Sequence, residues 1–180
     1  MPHFRGDRGA FGAPGLKPSW TQGNKDGGGT ANSPSSRVWL TLSQGILNEI
    51  YHPTVDRPQT RDLQLLFADG ENVFLDEKRD LEDEIERIAP SQDYRMTKRD
   101  PQGRFSIVQE VISDPVRPCV LPHSALKGKE QFLQSLKGYV LCAPHLQVGG
   151  SGNNAYVVKV CGRELLVAEK AGLRWNCRSV

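Results

Sequence analysis

The stretch LQLLFADGENVFL, Leu63 to Leu75, sets two strand-like runs on either side of Asp69-Gly70, and Asp-Gly tolerates the positive φ angles that a tight hairpin turn requires. The same grammar recurs along the chain. RVWLTLS alternates Val38, Leu40 and Leu42 with Trp39 and Thr41, and ILNEIY resumes after Gly45 with apolar ends and a polar middle, which reads as strand, turn, strand. AYVVKVCGRELLVAEK alternates on both sides of a turn at Cys161 to Arg163 around Gly162, and RFSIVQEVISD follows the turn-forming RDPQG as another strand. Two segments carry a mixed signal. In DLEDEIERIA, Leu81, Ile85 and Ile88 stand at helical spacing and propensity favours a helix, while Glu84, Ile85 and Glu86 also alternate as a solvent-facing strand over Glu82 to Ile88 would. KEQFLQSLKGYVLCAPHL fits a short helix or an extended run leading into a strand. With roughly six to nine strands, at most two helices and no strand-helix alternation, a mostly antiparallel β chain follows, folded as a sandwich.

Charge and length exclude several classes. The 23 basic and 21 acidic residues leave a net charge of +2, spread along the chain without the footprint that nucleic acid demands. No apolar run approaches the roughly 20 residues of a membrane-crossing helix, and Met1 to Arg8 lacks the apolar core of a secretory signal. Neither nucleic acid nor membrane is an expected partner, and as written the chain carries no export leader. A length of 180 residues suits one ordinary domain. Cys119, Cys142, Cys161 and Cys177 form no C-x-x-C pair, so buried free thiols are expected rather than a zinc site or disulfides. Residues 1–36, ending in GNKDGGGTANSPSS, have little to bury and are expected to lie on the surface of a domain spanning 37–170. Within them DGGGT lacks the Lys-Ser/Thr of a phosphate loop, and no strand precedes it.

The densest polar chemistry is GILNEIYHPTVDRPQTRDLQ, Gly45 to Gln64. A glycosidase needs two carboxyls facing each other across a bond, and Glu49, Asp56 and Asp62 are the groups to weigh, but their spacing selects no pair. The alternative is an ion-pair lattice of Asp56, Arg57, Arg61 and Asp62 that stiffens a loop bent by Pro53 and Pro58. That scaffold role is the expected one. His3, His52, His123 and His145 stand apart without ligand spacing, no G-x-S-x-G elbow surrounds Ser43, and no Asp/Asn cluster has calcium-ligand spacing. No catalytic residue, metal ligand or cofactor is assigned. VGGSGNNAYV, with Gly149, Gly150 and Gly152 ahead of Asn153, reads as a sharp loop between strands. Trp20, Trp39, Tyr51 and Tyr139 are suited to stacking on sugars, yet no two are spaced as an evident platform, and core roles are expected for them.

Several stretches taken together resemble one family. They are AFGAPGLKPSWTQGNKDG (Ala10 to Gly27), SSRVWLTLSQGILNEIYHPTVDRPQTRDLQLLFADGE (Ser35 to Glu71), EKRDLE (Glu77 to Glu82), YRMTKRDPQGRFSIVQEVISDP (Tyr94 to Pro115) and LCAPHLQVGGSGNNAYVV (Leu141 to Val158). The family is that of the bacterial glucoamylases and glucodextranases, in their N-terminal domain. The resemblance implies an antiparallel super-sandwich of the galactose mutarotase-like kind, packed in the parent enzyme against a catalytic (α/α)6 barrel. That barrel hydrolyses α-glucosidic bonds from the non-reducing end and releases β-glucose with inversion. It also implies that both catalytic glutamates belong to the barrel, so no residue here takes the acid or base role. Asp56, Arg57, Arg61 and Asp62 then become a scaffold loop at an interdomain face. The implied substrate, an α-glucan, is reached only through the parent enzyme, and family members are often exported.

Two departures from the family pattern stand out. Ser151 occupies the place of a tryptophan in a GGWGNN motif, removing a large apolar contact. The tail AGLRWNCRSV, 171–180, diverges, as a truncation or a reading-frame change near Ala171 would explain. A sandwich cut short in this way is expected to expose strand edges and apolar faces.

Overall fold

The computed structural model describes residues 8–9, 23–91, 93–170 and 173–177, the last of these as backbone only. Most of the segment 1–36 expected to lie on the domain surface is outside the described residues, as are His3 and Trp20. Among the described residues the elements in chain order are β1 (Arg8–Gly9), β2 (Gly27–Thr30), β3 (Trp39–Ser43), β4 (Ile46–Tyr51), β5 (Pro58–Ala68), β6 (Phe74–Asp76), α1 (Glu77–Asp80), β7 (Glu82–Ile88), β8 (Asp93–Arg99), β9 (Phe105–Ser113), β10 (Val120–Gly128), α2 (Glu130–Ser135), β11 (Lys137–Pro144), a 3-10 turn (Leu146–Val148), β12 (Asn154–Val160), β13 (Arg163–Lys170) and β14 (Leu173–Cys177). The chain is an antiparallel β protein of the sandwich class, as its alternation requires. It divides into two compact units, Thr21–Ala143 and a second made of Met1–Trp20 with Pro144–Val180.

The larger unit holds two sheets, one ordered β11-β5-β4-β3-β2 with β6 also on β5, the other β10-β9-β8-β7. Alternation decides which face each strand buries. On β9, Phe105, Ile107, Gln109 and Val111 are buried, and on β8 Met96 and Lys98 are. On β3 and β4 the buried side chains include Leu40, Leu42, Ile46, Leu47 and Ile50. The sheets meet where Phe67 of β5 touches Phe105 of β9, ring centroids 5.5 Å apart at 65°. Such an edge-to-face pair adds about 0.5–1.5 kcal/mol to the apolar area it buries. Leu81 and Ile107 complete this cluster, flanked by Phe132, Leu133 and Leu136 around α2.

The turns follow their sequences. Gln44 and Gly45 both have positive φ, 52° and 65°, so a two-residue turn of the primed kind joins β3 to β4 and matches their twist. At the Asp69-Gly70 hairpin the Asp69 side chain accepts from the backbone N–H groups of Glu71, Asn72 and Val73, each within 2.9 Å. The helical reading of Leu81 to Ile88 gives way to strand β7. Pairing with β8 sets Glu82 opposite Arg99 and Glu86 opposite Arg95, and Arg99 reaches Glu84 at 2.9 Å. Cross-strand charge pairing on a solvent face overrides helix propensity here. Between Asp76 and Ile88 the helical part is Glu77–Asp80, with Asp76 as its cap accepting from the Lys78 N–H.

The smaller unit is a sheet in the order β1-β12-β13-β14. The β12–β13 hairpin turns through Cys161 and Gly162, with φ of 49° and 79°, and Val160 lies opposite Arg163. Cys119, Cys142 and Cys161 are free thiols as expected, but none is fully buried and Cys161 is exposed at its turn. The side chain of Cys177 is outside the described residues.

Candidate functional site

The polar stretch between Gly45 and Gln64 folds as the β4–β5 hairpin, and the structure divides its charged residues. Asp56 and Arg57 sit exposed in the connection. That connection is shaped by its backbone: His52 N–H donates to the Arg57 carbonyl at 3.1 Å, Arg57 N–H to the Thr54 carbonyl at 3.1 Å, and Gln59 Nε2 to the His52 carbonyl at 2.7 Å. A hydrogen bond from Thr54 holds the Asp56 carboxyl below its usual range. Arg61 and Asp62 lie instead within β5. The four residues therefore do not form one loop: two lie in the turn and two in the sheet.

Asp62 is the centre of the inner half. It takes φ of 55°, is buried, accepts from Asn48 Nδ2 at 2.8 Å and is bridged by Lys78 Nζ at 3.1 Å. Arg61 Nε stands 3.7 Å from its carboxylate. Glu49 lies opposite Arg61 and receives Tyr51 Oη at 2.6 Å and Lys25 Nζ at 2.8 Å. Lys25 also donates to Asn48 Oδ1, which joins the two carboxylates into one network. Burial, followed by the hydrogen bond to Glu49, pushes the Tyr51 phenol up to about 12. Each carboxylate is neutralised by a lysine and fixed by a neutral donor, the arrangement of a structural tie rather than of an acid and a base awaiting substrate.

The remaining sequence candidates disperse. His52 Nδ1 lies 3.0 Å from the Arg37 carbonyl, His123 is exposed on β10 and His145 is buried in the smaller unit. Among the described residues no three His, Cys, Asp or Glu side chains are placed to hold a metal. The VGGSGNN loop is closed on itself: Asn153 Nδ2 donates to the Gly149 and Gly150 carbonyls at 3.0 and 2.8 Å, and its Oδ1 accepts from Leu146 N–H at 3.1 Å. Ser151 is exposed at its tip. Trp39 and Tyr51, which sequence spacing did not unite, are direct cross-strand partners. Trp39 also lines a shallow depression with Asn32, Ser33, Pro34 and Arg37.

Sequence reasoning missed Glu77 and Lys98, both fully buried. The signal was the alternation of DYRMTKR: Met96 and Lys98 share a face, so a strand that buries one buries the other.

These features describe a β-sandwich framework in which, among the described residues, Glu49 and Asp62 are each engaged by a lysine. The family profile described as Glucodextranase, domain N, matches residues 10–179. The chain belongs to this family. The chain is 31% identical over 162 residues to a glucoamylase of Clostridium sp. (strain G0005), a match covering 89% of this chain and 23% of that protein. The crystal structure of a bacterial glucoamylase complexed with acarbose matches it with a TM-score of 0.85 at 29% identity, over 92% of this chain and 25% of that one. The chain thus spans about a quarter of the length of these relatives, and the family match runs on through residues 171–179, where the sequence alone suggests divergence.

Proposed function

We propose that the chain serves as the non-catalytic N-terminal module of a glucoamylase-like glycoside hydrolase, contributing to the cleavage of terminal α-glucosidic bonds in starch- or dextran-type glucans through a catalytic (α/α)6 barrel carried elsewhere. The observation that carries this reading is the share of length: the chain corresponds to 23% of a glucoamylase that it resembles at 31% identity. The engagement of Glu49 and Asp62 by lysines agrees with a chain that holds no acid/base pair. In this reading Asp56 and Arg57, exposed at the hairpin tip, belong to a face presented to the barrel, while Arg61 and Asp62 hold the hairpin in shape. Glucose release from maltooligosaccharides and dextran is the test, with a full-length glucoamylase as positive control. The folded 180-residue chain is expected to release none, and release by it would return attention to Glu49, Asp56 and Asp62.

A second reading, a stand-alone carbohydrate-binding module, has one observation in its favour. Trp39 beside Arg37 and Asn32 in an open depression offers a stacking face with polar neighbours. Retardation of the wild-type chain but not W39A in a glucan-containing native gel is the expected signature of that reading.

A further inference from the structure

The register between β5 and β6 pairs Leu66 with Asp76 and Phe67 with Leu75, so its next step sets Leu65 opposite Glu77. At Glu77 the chain leaves the strand for α1. The Glu77 side chain takes the place of the missing ladder carbonyl, accepting the Leu65 N–H on Oε2 at 2.6 Å. Its other oxygen, Oε1, is buried and has no hydrogen-bond partner among the described residues. From β8, Lys98 reaches the same place and is also fully buried. Its ammonium does not bond the Glu77 carboxyl. Nζ donates to two backbone carbonyls, those of Gln44 in the β3–β4 turn at 3.1 Å and of Glu77 itself at 3.2 Å. Lys98 thereby fastens the four-stranded sheet to a turn of the other sheet, with a carboxyl alongside that is half satisfied.

A carboxylate costs far more to bury than a neutral carboxylic acid, and the cost falls on an oxygen with no donor. We propose that Glu77 is an internal proton-binding site of this module: protonated, it caps the Leu65 N–H as a neutral acceptor and the junction of β5, α1 and β7 is firm; deprotonated, it places a second charge inside the Lys98 tie and loosens that junction. The charged groups around the pair are few. Lys98 and Asp76 act on Glu77, while Asp83 from β7, Asp76 and Lys78 act on Lys98 together with Glu77. Burial dominates over the attraction of Lys98 and pushes the Glu77 carboxyl up to about 7. Burial likewise brings Lys98 down from its usual value, against the attraction of Glu77, Asp83 and Asp76.

Because the folded state holds this proton more tightly than the unfolded chain, the contribution of Glu77 to stability is full below about pH 4.5 and is lost as pH rises to about 7. Above that it changes no further. The window is mildly acidic to neutral, the reverse of an ordinary salt-bridged carboxylate.

The test compares the wild-type chain with E77Q, which keeps an acceptor for Leu65 and removes the proton site. The ratio of wild-type to E77Q unfolding constants, from urea titrations at pH 4.5 to 8, is expected to rise about a hundredfold and then level off. A flat ratio overturns the proposal. Independent of any variant, the side-chain carboxyl carbon of Glu77 in the wild-type NMR spectrum should titrate near neutrality. The protection factor of the Leu65 amide, corrected for intrinsic exchange, should fall over the same range. A carboxyl midpoint near 4.5, or Leu65 protection independent of pH, shows Glu77 to be an ordinary ionised partner of Lys98 and refutes the switch even if E77Q fails to fold.

Discussion

Asn48 and Asp62 meet side chain to side chain at 2.8 Å across the β4–β5 pair, and Lys78 closes the other carboxylate oxygen at 3.1 Å. The network they start continues through Lys25 to Glu49 and Tyr51. Removing Asp62 leaves an amide and an ammonium without their acceptor in a largely buried place. D62A is therefore expected to cost about 2–4 kcal/mol in chemical denaturation, and alanine's poorer tolerance of positive φ acts in the same direction. D56A, in the exposed turn, should leave the unfolding midpoint where it is. Equal effects of the two substitutions would contradict the division of the hairpin into a structural inner half and a free tip.

Glycine at position 45 answers to both backbone and packing. With φ of 65°, an added Cβ there would stand 2.5 Å from Lys98 Cε and 2.6 Å from Asp83 Cβ. Gly70 has φ of 88° and nothing within 4 Å of its would-be Cβ. G70A should cost about 1 kcal/mol, the price of left-handed backbone alone. G45A should exceed it by at least about 1–2 kcal/mol through displacement of the Lys98 tie. Thermal midpoints of the two variants measure the difference, and a G45A as mild as G70A would show that Lys98 yields without cost.

How much of this was legible in the sequence depends on whether the cause was local. The turns at Gly45, Gly70 and Gly162 were readable because glycine takes positive φ without steric cost, while the positive φ of Gln44 and Cys161 is imposed by the turns they share. The strand character of Glu82–Ile88 was ambiguous because its stabilising partners, Arg95 and Arg99, lie on another strand, beyond any local window. The same holds for the polar hairpin. Composition marked Arg61 and Asp62 as one cluster with Asp56 and Arg57, but only the register, with Glu49 opposite Arg61, puts the first pair in a sheet and leaves the second in a turn. Glu77 and Lys98 were invisible as a pair because nothing in EKRDLE or DYRMTKR indicates that two long-range contacts converge.

Tyr51 offers a spectroscopic reading of the Glu49 network. The chain has four tyrosines, and burial with the bond to Glu49 pushes the Tyr51 phenol up to about 12. A raised folded value means that the stability from this group is full below about pH 10 and declines as pH climbs towards 12. Absorbance titration of phenolate is expected to resolve one late-ionising tyrosine that Y51F abolishes. E49Q should bring it only part of the way back towards 10, since burial, the larger cause, remains. Ionisation of Tyr51 near 10 in a chain still folded by circular dichroism would remove the Tyr51–Glu49 bond from the account.

Strand β11 stands at the end of the six-stranded order and exposes three apolar residues in succession, Tyr139 at 52%, Val140 at 51% and Leu141 at 44%. Neighbouring strand residues point to opposite faces, so both faces of this strand carry apolar surface to water. At the edge of the other sheet β10 adds Leu121 and Leu126, again exposed and again on opposite faces, since Leu121 pairs with Ile112 and Leu126 with buried Ile107. Apolar surface on a terminal strand favours association between copies unless something covers it. The isolated 180-residue chain is accordingly expected to associate in a concentration-dependent way in gel filtration with light scattering. The double substitution V140K/L141K, which puts a charge on each face of β11, should shift it towards monomer with little loss of fold, because neither side chain is buried. A wild-type chain that stays monomeric across concentrations and melts in one cooperative transition would mean that this surface is stable in water by itself.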